Sequence, residues 1–246
     1  MYKHEVHIIT GAMFNQRVRD KFERMGIEKG IHMSDGNKTI IYYSSNREPW
    51  GFESKVIETI KKNSGGLPVV SVTQKPIDFG TNICVGEQLC SYHNCYRQVQ
   101  LAAQAAKTEY VISCESDCLY PPEYFQCDPD GKYDLYKYMN IWMLFTNRTQ
   151  FYKKVFSECG HITKREFLIN RIAHCMQRMS MWGNQSKMQN VYKKMAWGEF
   201  THEHPIINVK TGCGVNKTTG VLKNVNPETT LPYWGDFNKV KTEMCV

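Results

Sequence analysis

Thr39-Ile40-Ile41-Tyr42-Tyr43-Ser44 and Leu67-Pro68-Val69-Val70-Ser71-Val72 are the two stretches that decide how this chain is read. Both are short, apolar and rich in β-branched or aromatic residues, the composition of a buried strand. Between them Phe52, Val56, Ile57 and Ile60 recur at helical spacing, and Gly65-Gly66 closes that helix. A strand, a helix and a strand in succession make one βαβ unit, which predicts a parallel sheet with a right-handed crossover.

Toward the C-terminus, Lys75 to Gly86 is a loop rich in turn residues, and a second helix runs from about Tyr92 to Ala106. Its Val99, Ala102, Ala103 and Ala106 form a small-residue face that can lie close to a sheet. The third strand is Tyr110-Val111-Ile112-Ser113-Cys114, and Glu115-Ser116-Asp117 follows at once. Ligands in open α/β sheets sit beyond the carboxyl ends of the strands, so two carboxylates fall on the functional rim. The aromatic-rich run from Asp128 to Lys154 predicts shorter, antiparallel strands in a mixed second half. Lys164 to Lys194 reads as largely helical, with a break at Trp182-Gly183-Asn184, and Ile206 to Val209 is a late strand. Toward the N-terminus, residues 1–38 are a polar extension punctuated by Gly26, Gly30 and Gly36. The chain shows no internal repeat and no low-complexity linker. The fold class is therefore α/β, a Rossmann-type mixed sheet flanked by helices, in a single domain over 39–246.

Composition narrows the function classes. At 246 residues, 41% hydrophobic and 22% charged, the chain can bury a core and is not disordered throughout. No window approaches the ~20 apolar residues of a membrane span, and the N-terminus has no apolar leader, so a cytoplasmic location is expected. Ten scattered cysteines without a C-x-x-C pair read as reduced thiols rather than a disulfide scaffold or a zinc site. On that reading the sequons at Asn37, Asn147, Asn184 and Asn216 are chance matches. The net charge of +7 suits an anionic partner: a nucleotide diphosphate, a nucleic acid or an acidic surface.

The densest chemistry lies in Tyr110 to Phe125, YVISCESDCLYPPEYF. Two carboxylates two residues apart on a loop suit a hard divalent cation, Mn2+ or Mg2+, that keeps positions open for phosphate oxygens. Such an ion can neutralise a departing diphosphate. The same pair can equally be a solvated loop. A second cluster is Thr201-His202-Glu203-His204-Pro205, whose two imidazoles face one side of an extended segment. It lacks the H-E-x-x-H spacing of helical zinc sites, and surface histidines before a strand are its other reading.

The order strand, helix, strand, helix, strand, acid-x-Asp, ending in Leu-Tyr-Pro-Pro-Glu-Tyr-Phe, resembles glycosyltransferases of the GT-A fold, family-2-like. The likeness is carried by Tyr96-Arg97-Gln98, the Ala-rich run Leu101 to Ala106, Tyr110-Val111-Ile112 and Glu115-Ser116-Asp117, over roughly residues 39–125. The departure is Glu115 in place of the first Asp of the family motif. The resemblance implies a nucleotide-binding half over 39–127 and an acceptor-binding half over 128–246. It implies a nucleotide-sugar bound by Ser44, Ser45, Asn46, Arg47, Thr73, Gln74, Arg97, Glu115, Ser116 and Lys210. Arg97 also fits a plain helix-surface arginine, and neutral Thr73 and Gln74 stand where the family often has acidic residues reading the base. The implied metal ligands are Asp117 first, then Glu115, with His204 or His202 as a late third ligand. Lys210 with Thr211-Gly212-Cys213-Gly214 would close over phosphate, and Glu199 or Glu166 would be the general base.

Small enzymes of this type resemble those of bacteriophages that glycosylate hydroxymethylated bases, which makes DNA an expected acceptor beside saccharides and proteins. The aromatics from Tyr133 to Trp142 and Tyr233-Trp234 would line the acceptor site or simply pack the core. Two rivals remain open. One is a nucleotidyltransferase, although Ser44 to Pro49 lacks a Gly-rich basic phosphate loop; the other is a nucleic-acid-binding module without chemistry.

Overall fold

A computed structural model describes residues 37–154, 158–183, 191, 195–215 and 220–246. The polar extension up to residue 36 therefore lies outside the described residues, as do much of the second half of the helix expected over Lys164 to Lys194 and the sequons at Asn184 and Asn216. In chain order the elements are β1 (Lys38–Ser44), α1 (Trp50–Asn63), β2 (Val69–Thr73), β3 (Thr81–Cys84), α2 (Tyr92–Ala105), β4 (Tyr110–Glu115), β5 (Cys118–Leu119), α3 (Pro122–Gln126), β6 (Leu135–Tyr138), β7 (Ile141–Phe145), β8 (Phe151–Lys153), β9 (His161–Lys164), α4 (Arg165–Cys175), β10 (Gly198–Phe200), β11 (Ile206–Lys210), β12 (Thr230–Leu231), β13 (Gly235–Asp236) and α5 (Phe237–Glu243).

The main sheet has the order β10-β6-β9-β4-β1-β2-β3, and a second sheet has the order β5-β11-β7-β8. The expected βαβ unit is present: β1 runs parallel to β2 and to β4. Strand β9 is antiparallel to both β4 and β6, so the sheet is mixed. Alternation along β1 assigns the faces. Ile40 and Tyr42 pack with Phe52, Val56 and Ile60 of α1, while Ile41 and Tyr43 pack with Val99, Ala102 and Ala103 of α2. The α1 face also carries residues of the second sheet, including Leu144, Ile207 and Val209. One core therefore draws on both the 39–127 and the 128–246 halves, and an α/β fold with a mixed sheet flanked by helices is what the chain adopts.

The structure departs from the expected elements in several places. The loop from Lys75 to Gly86 contains an edge strand, β3, parallel to β2. Its turn residues hide it, since Gly80 supplies the left-handed backbone (φ +63°) that brings Phe79 to Thr81 against Val69. The helix expected from Lys164 ends at Cys175, and Arg178 turns the chain with φ +66°. The aromatic segment divides between the sheets, β6 joining the main sheet and β7 and β8 the second. Strand β1 also starts one residue early, at Lys38. That lysine is 1% exposed, and its ammonium donates to the Phe125 and Cys127 carbonyls and pairs with Asp128 at 2.6 Å.

Two stability predictions arise here. A Cβ on Gly80 would stand 2.4 Å from the Val69 carbonyl oxygen, on top of the left-handed backbone. Gly80→Ala should therefore cost about 2–4 kcal/mol, read as a lowered urea midpoint with unchanged slope. The second concerns His161, 2% exposed on β9, whose imidazole burial, with the Lys137 charge, lowers to a pKa of about 3. Above pH 6.5 the ring is neutral in both states; below it the unfolded chain takes up a proton that the folded chain refuses until about pH 3. Stability should then fall with acidification through that window by up to about 1.4 kcal/mol per pH unit. Urea midpoints between pH 7 and pH 4 should fall less steeply for His161→Gln than for the unaltered chain.

Candidate functional site

The carboxyl ends of the parallel strands β1, β2 and β4 open on one rim, and the acidic segment leaves β4 there. Glu115 is the last residue of β4, Ser116-Asp117 make a two-residue turn, and Cys118 begins β5 in the second sheet. The turn is held on both sides. The Glu115 amide donates to the Tyr120 hydroxyl at 2.8 Å, and the Val209 amide donates to the Asp117 carbonyl at 2.7 Å. Strand β11, antiparallel to β5, thereby carries Lys210 to Asp117, Nζ to Oδ2 being 3.9 Å. Gly214 lies on the same carboxylate, an added Cβ falling 3.9 Å from Oδ2. Lys210 and Gly214 thus both approach the Asp117 carboxylate.

The electrostatics are those of crowded negative charge. Glu115 accepts from the Tyr43 hydroxyl at 3.0 Å and lies with Asp117 and Cys118 so that one ligand atom of each falls within 4.8 Å of the others. Burial first, then the Asp117 charge, push the Glu115 carboxyl up to about 8, with Lys154 and Lys210 acting in the opposite direction. A third carboxylate, Glu48, follows β1. Burial and the Asp117 charge raise it to about 7 against a hydrogen bond from Thr211. Sulfur surrounds the group: Cys118 Sγ is 3.3 Å from Asp117 Oδ1, and Cys95 and Cys159 act on the same acids. Lys154 donates to Asn208 at 3.0 Å and feels both Glu115 and Asp117. Glu48 and Lys154 were missed in the sequence. Glu48 carries no spacing signal, sitting in a loop read only as polar, and Lys154 follows a strand of the other sheet.

The remaining expected residues divide. Ser44 is buried and its hydroxyl accepts from the Asn46 amide, while Ser45 is half-buried and Arg47 exposed at the same rim. Asn46, at φ +50°, is spent on structure: its Oδ1 accepts from the Gln74 and Lys75 amides, joining the ends of β1 and β2. Thr73 is fully buried, bonded to the Lys75 carbonyl and to Asn82, and Gln74 accepts from the Gln88 amide. Arg97 bonds to Gln100 on its own helix and reaches the Ser180 carbonyl, so it sits on the flank beyond Tyr96 rather than at the acids.

Glu199 lies exposed on edge strand β10, bonded to Trp197, and β6 and β9 separate that strand from β4. Three strand spacings place it about 14 Å from β4. Glu166 is farther still. It pairs with Arg165, whose amide bonds to Glu109 before β4, at the opposite end of that strand from Glu115. A depression lined by Lys107, Glu109, Lys164 and Glu166 lies there.

The histidines do not join Asp117. His202 and His204 gather with Glu123 of α3 into a separate group. Strand β11 spans the interval: Lys210 at one end meets Asp117, and Ile206, four residues of strand rise or about 13 Å away, leads back to His204. Of the aromatics, Tyr136 and Tyr138 are core, Trp142 and Trp234 are half-buried, and Tyr233 is exposed beside the His204 ring.

The chain is therefore an α/β protein with acids and lysines collected beyond the carboxyl ends of the parallel strands β1, β2 and β4 of a mixed sheet. No family model matches it, and no curated protein sequence does. Among solved structures it is similar to S. aureus TarS 1-349 in complex with UDP-GlcNAc, at 11% identity and TM-score 0.46, over 71% of this chain and 58% of that one. It is also similar to the inositol-1-phosphate CTP transferase from T. maritima, at 11% identity and TM-score 0.45, over 74% of this chain and 92% of that one. A third likeness is to HddC from Yersinia pseudotuberculosis, at 8% identity and TM-score 0.44, over 70% and 93%. The chain thus spans 58% of the TarS chain. Among the described residues no helix is long and apolar enough to cross a membrane.

Proposed function

We propose that the protein transfers a sugar from a nucleotide-sugar to an acceptor hydroxyl, with Glu115 and Asp117 holding a divalent cation, Mn2+ or Mg2+. The observation that carries this is the pair of carboxylates at the end of β4, close enough to share one ion, with the Glu115 carboxyl raised toward neutrality by burial and by the Asp117 charge. Such a pair fits a cation, because removing two like charges from water is costly unless a positive charge joins them. When bound, the ion supplies Lewis-acid neutralisation of a diphosphate leaving group.

The chain's own residues have distinct tasks. Lys210 supplies a second positive charge beside Asp117, and the Thr211–Gly214 segment covers it. Tyr43 orients Glu115 through its hydroxyl. Ser45 and Arg47 flank the end of β1, where the nucleotide would lie. Glu48, raised to about 7, is better placed than Glu199 or Glu166 to take the acceptor proton, since a base near neutrality both binds and releases it. Hydroxymethylated DNA is the first acceptor to try, because the net charge of +7 favours a polyanion.

The test is a melting-point screen of nucleoside diphosphates and their sugars, with and without manganese. A ligand for the folded state raises the midpoint by mass action. At least one nucleoside diphosphate should give a shift that requires manganese. No shift with any of them would sink the proposal. Mass analysis of nucleosides from hydroxymethylated DNA incubated with donor then reads the acceptor, and release of pyrophosphate from a nucleoside triphosphate would instead mark nucleotidyl transfer.

A further inference from the structure

We propose that Glu123, His202 and His204 form a second cation site, suited to zinc and separate from the acids at Asp117. One ligand atom from each residue lies within 4.8 Å of the other two. Glu123 Oε1 is 2.9 Å from His204 Nδ1, and Glu123 Oε2 is 3.9 Å from His202 Nδ1. Zinc bonds of about 2.0–2.1 Å in tetrahedral array set neighbouring ligand atoms about 3.3 Å apart, between those two distances. Two imidazoles and one carboxylate are a donor set that zinc takes with its fourth position open to water or a ligand.

Three polar atoms of the group make no hydrogen bond, although His204 Nδ1 lies 2.9 Å from Glu123 Oε1. Glu123 Oε2 and His204 Nδ1 are buried without a hydrogen bond, and so is His202 Nε2 on a side chain only 6% exposed. Leaving such atoms unsatisfied is costly, and an ion between Oε2 and Nδ1 removes two of the three deficits. The lone pair of His202 Nδ1 meets the His204 amide at 3.2 Å, a long contact that an ion would replace.

The surroundings are built to hold the loop in place. Asn140 donates to the His202 and Glu203 carbonyls, Tyr138 to the His204 carbonyl and Trp234 to the Pro205 carbonyl. Glu203 Oε1 stands 3.8 Å from His204 Nε2, on the far side of the ring from Glu123. The ion would tie α3 to the segment leading into β11.

The experiment uses the full chain, stripped with chelator, given one equivalent of zinc chloride and passed through a desalting column. Zinc per chain is then measured by mass spectrometry and the melting point recorded. The unaltered chain should retain about one zinc and melt higher with it than without. His204→Ala and the gentler Glu123→Gln should retain at least tenfold less, while Asp117→Ala retains as much as the unaltered chain. Cobalt in the unaltered chain should give visible bands of tetrahedral intensity, a readout that needs no variant to fold. Failure of the unaltered chain to hold zinc, equal retention by His204→Ala, or loss in Asp117→Ala would each overturn the proposal. Because the nucleotide screen depends on Asp117 and this one does not, either reading can fail alone.

Discussion

Replacing Asp117 by alanine should lower sugar transfer about a thousand-fold and abolish the manganese-dependent melting shift with nucleoside diphosphate. The size follows from the charge involved. Lewis-acid stabilisation of a leaving diphosphate is worth several kcal/mol, and about 4 kcal/mol corresponds to three powers of ten. The fold should survive, because the Asp117 side chain is partly exposed and its structural bond is the backbone carbonyl, which Val209 engages in either variant. Asp117→Asn is the sharper comparison, since it keeps shape and removes charge. If the asparagine variant transferred sugar at the unaltered rate with manganese still bound, the carboxylate would have no part in the chemistry. Lys210→Met supplies the complementary arm: it leaves the ion's ligands in place and removes the second positive charge beside them.

The largest stability loss should come from Tyr124, in the short helix after the acidic turn. Its ring stacks near-parallel to Tyr120 at 4.9 Å and to Phe200 at 6.1 Å, and meets Tyr138 edge-on at 5.8 Å. Its hydroxyl is shared between the Ser113 carbonyl at 2.8 Å and the His161 carbonyl at 2.9 Å, bonding β4 and β9 at once. Tyr124→Ala empties a fully buried ring site and should cost about 3–5 kcal/mol. Tyr124→Phe keeps the ring and withdraws one donor from two carbonyls, which should cost about 1–2 kcal/mol. Urea denaturation of the two variants separates packing from hydrogen bonding. Equal losses would mean that the hydroxyl, not the stacked ring, carries the effect.

What the sequence showed plainly were elements whose signal is local. β1, β2 and β4 are runs of β-branched and aromatic residues buried on both faces, and α2 presents alanines because it lies close on β1. The acid-x-Asp at the end of β4 followed from that order alone. What it concealed depends on pairing between distant segments. Nothing in Thr81 to Cys84 distinguishes an edge strand from a turn until β2 is beside it. The His202–His204 pair looks like a late ligand for Asp117 until the register of β11 against β5 shows which end of that strand meets the acid. Glu48 is one polar residue among several, and only the fold puts it beside Asp117. Asn46, Thr73 and Gln74 have the right chemistry at the right strand ends, yet their hydrogen bonds are already committed to joining β1, β2 and β3.

The sulfur packed about the acids has a consequence of its own. Burial holds the thiols of Cys95, Cys114 and Cys118 well above their ordinary range, so they stay neutral and contribute bulk rather than nucleophilicity. A lining of neutral, weakly hydrated atoms lowers the polarity around the half-buried Glu115. Dissolved salt can mask the exposed Lys55–Glu58 pair on α1, but it has little access to a charge seated among those cysteines. A cation held between these acids would therefore be screened less than one paired on the open surface of α1.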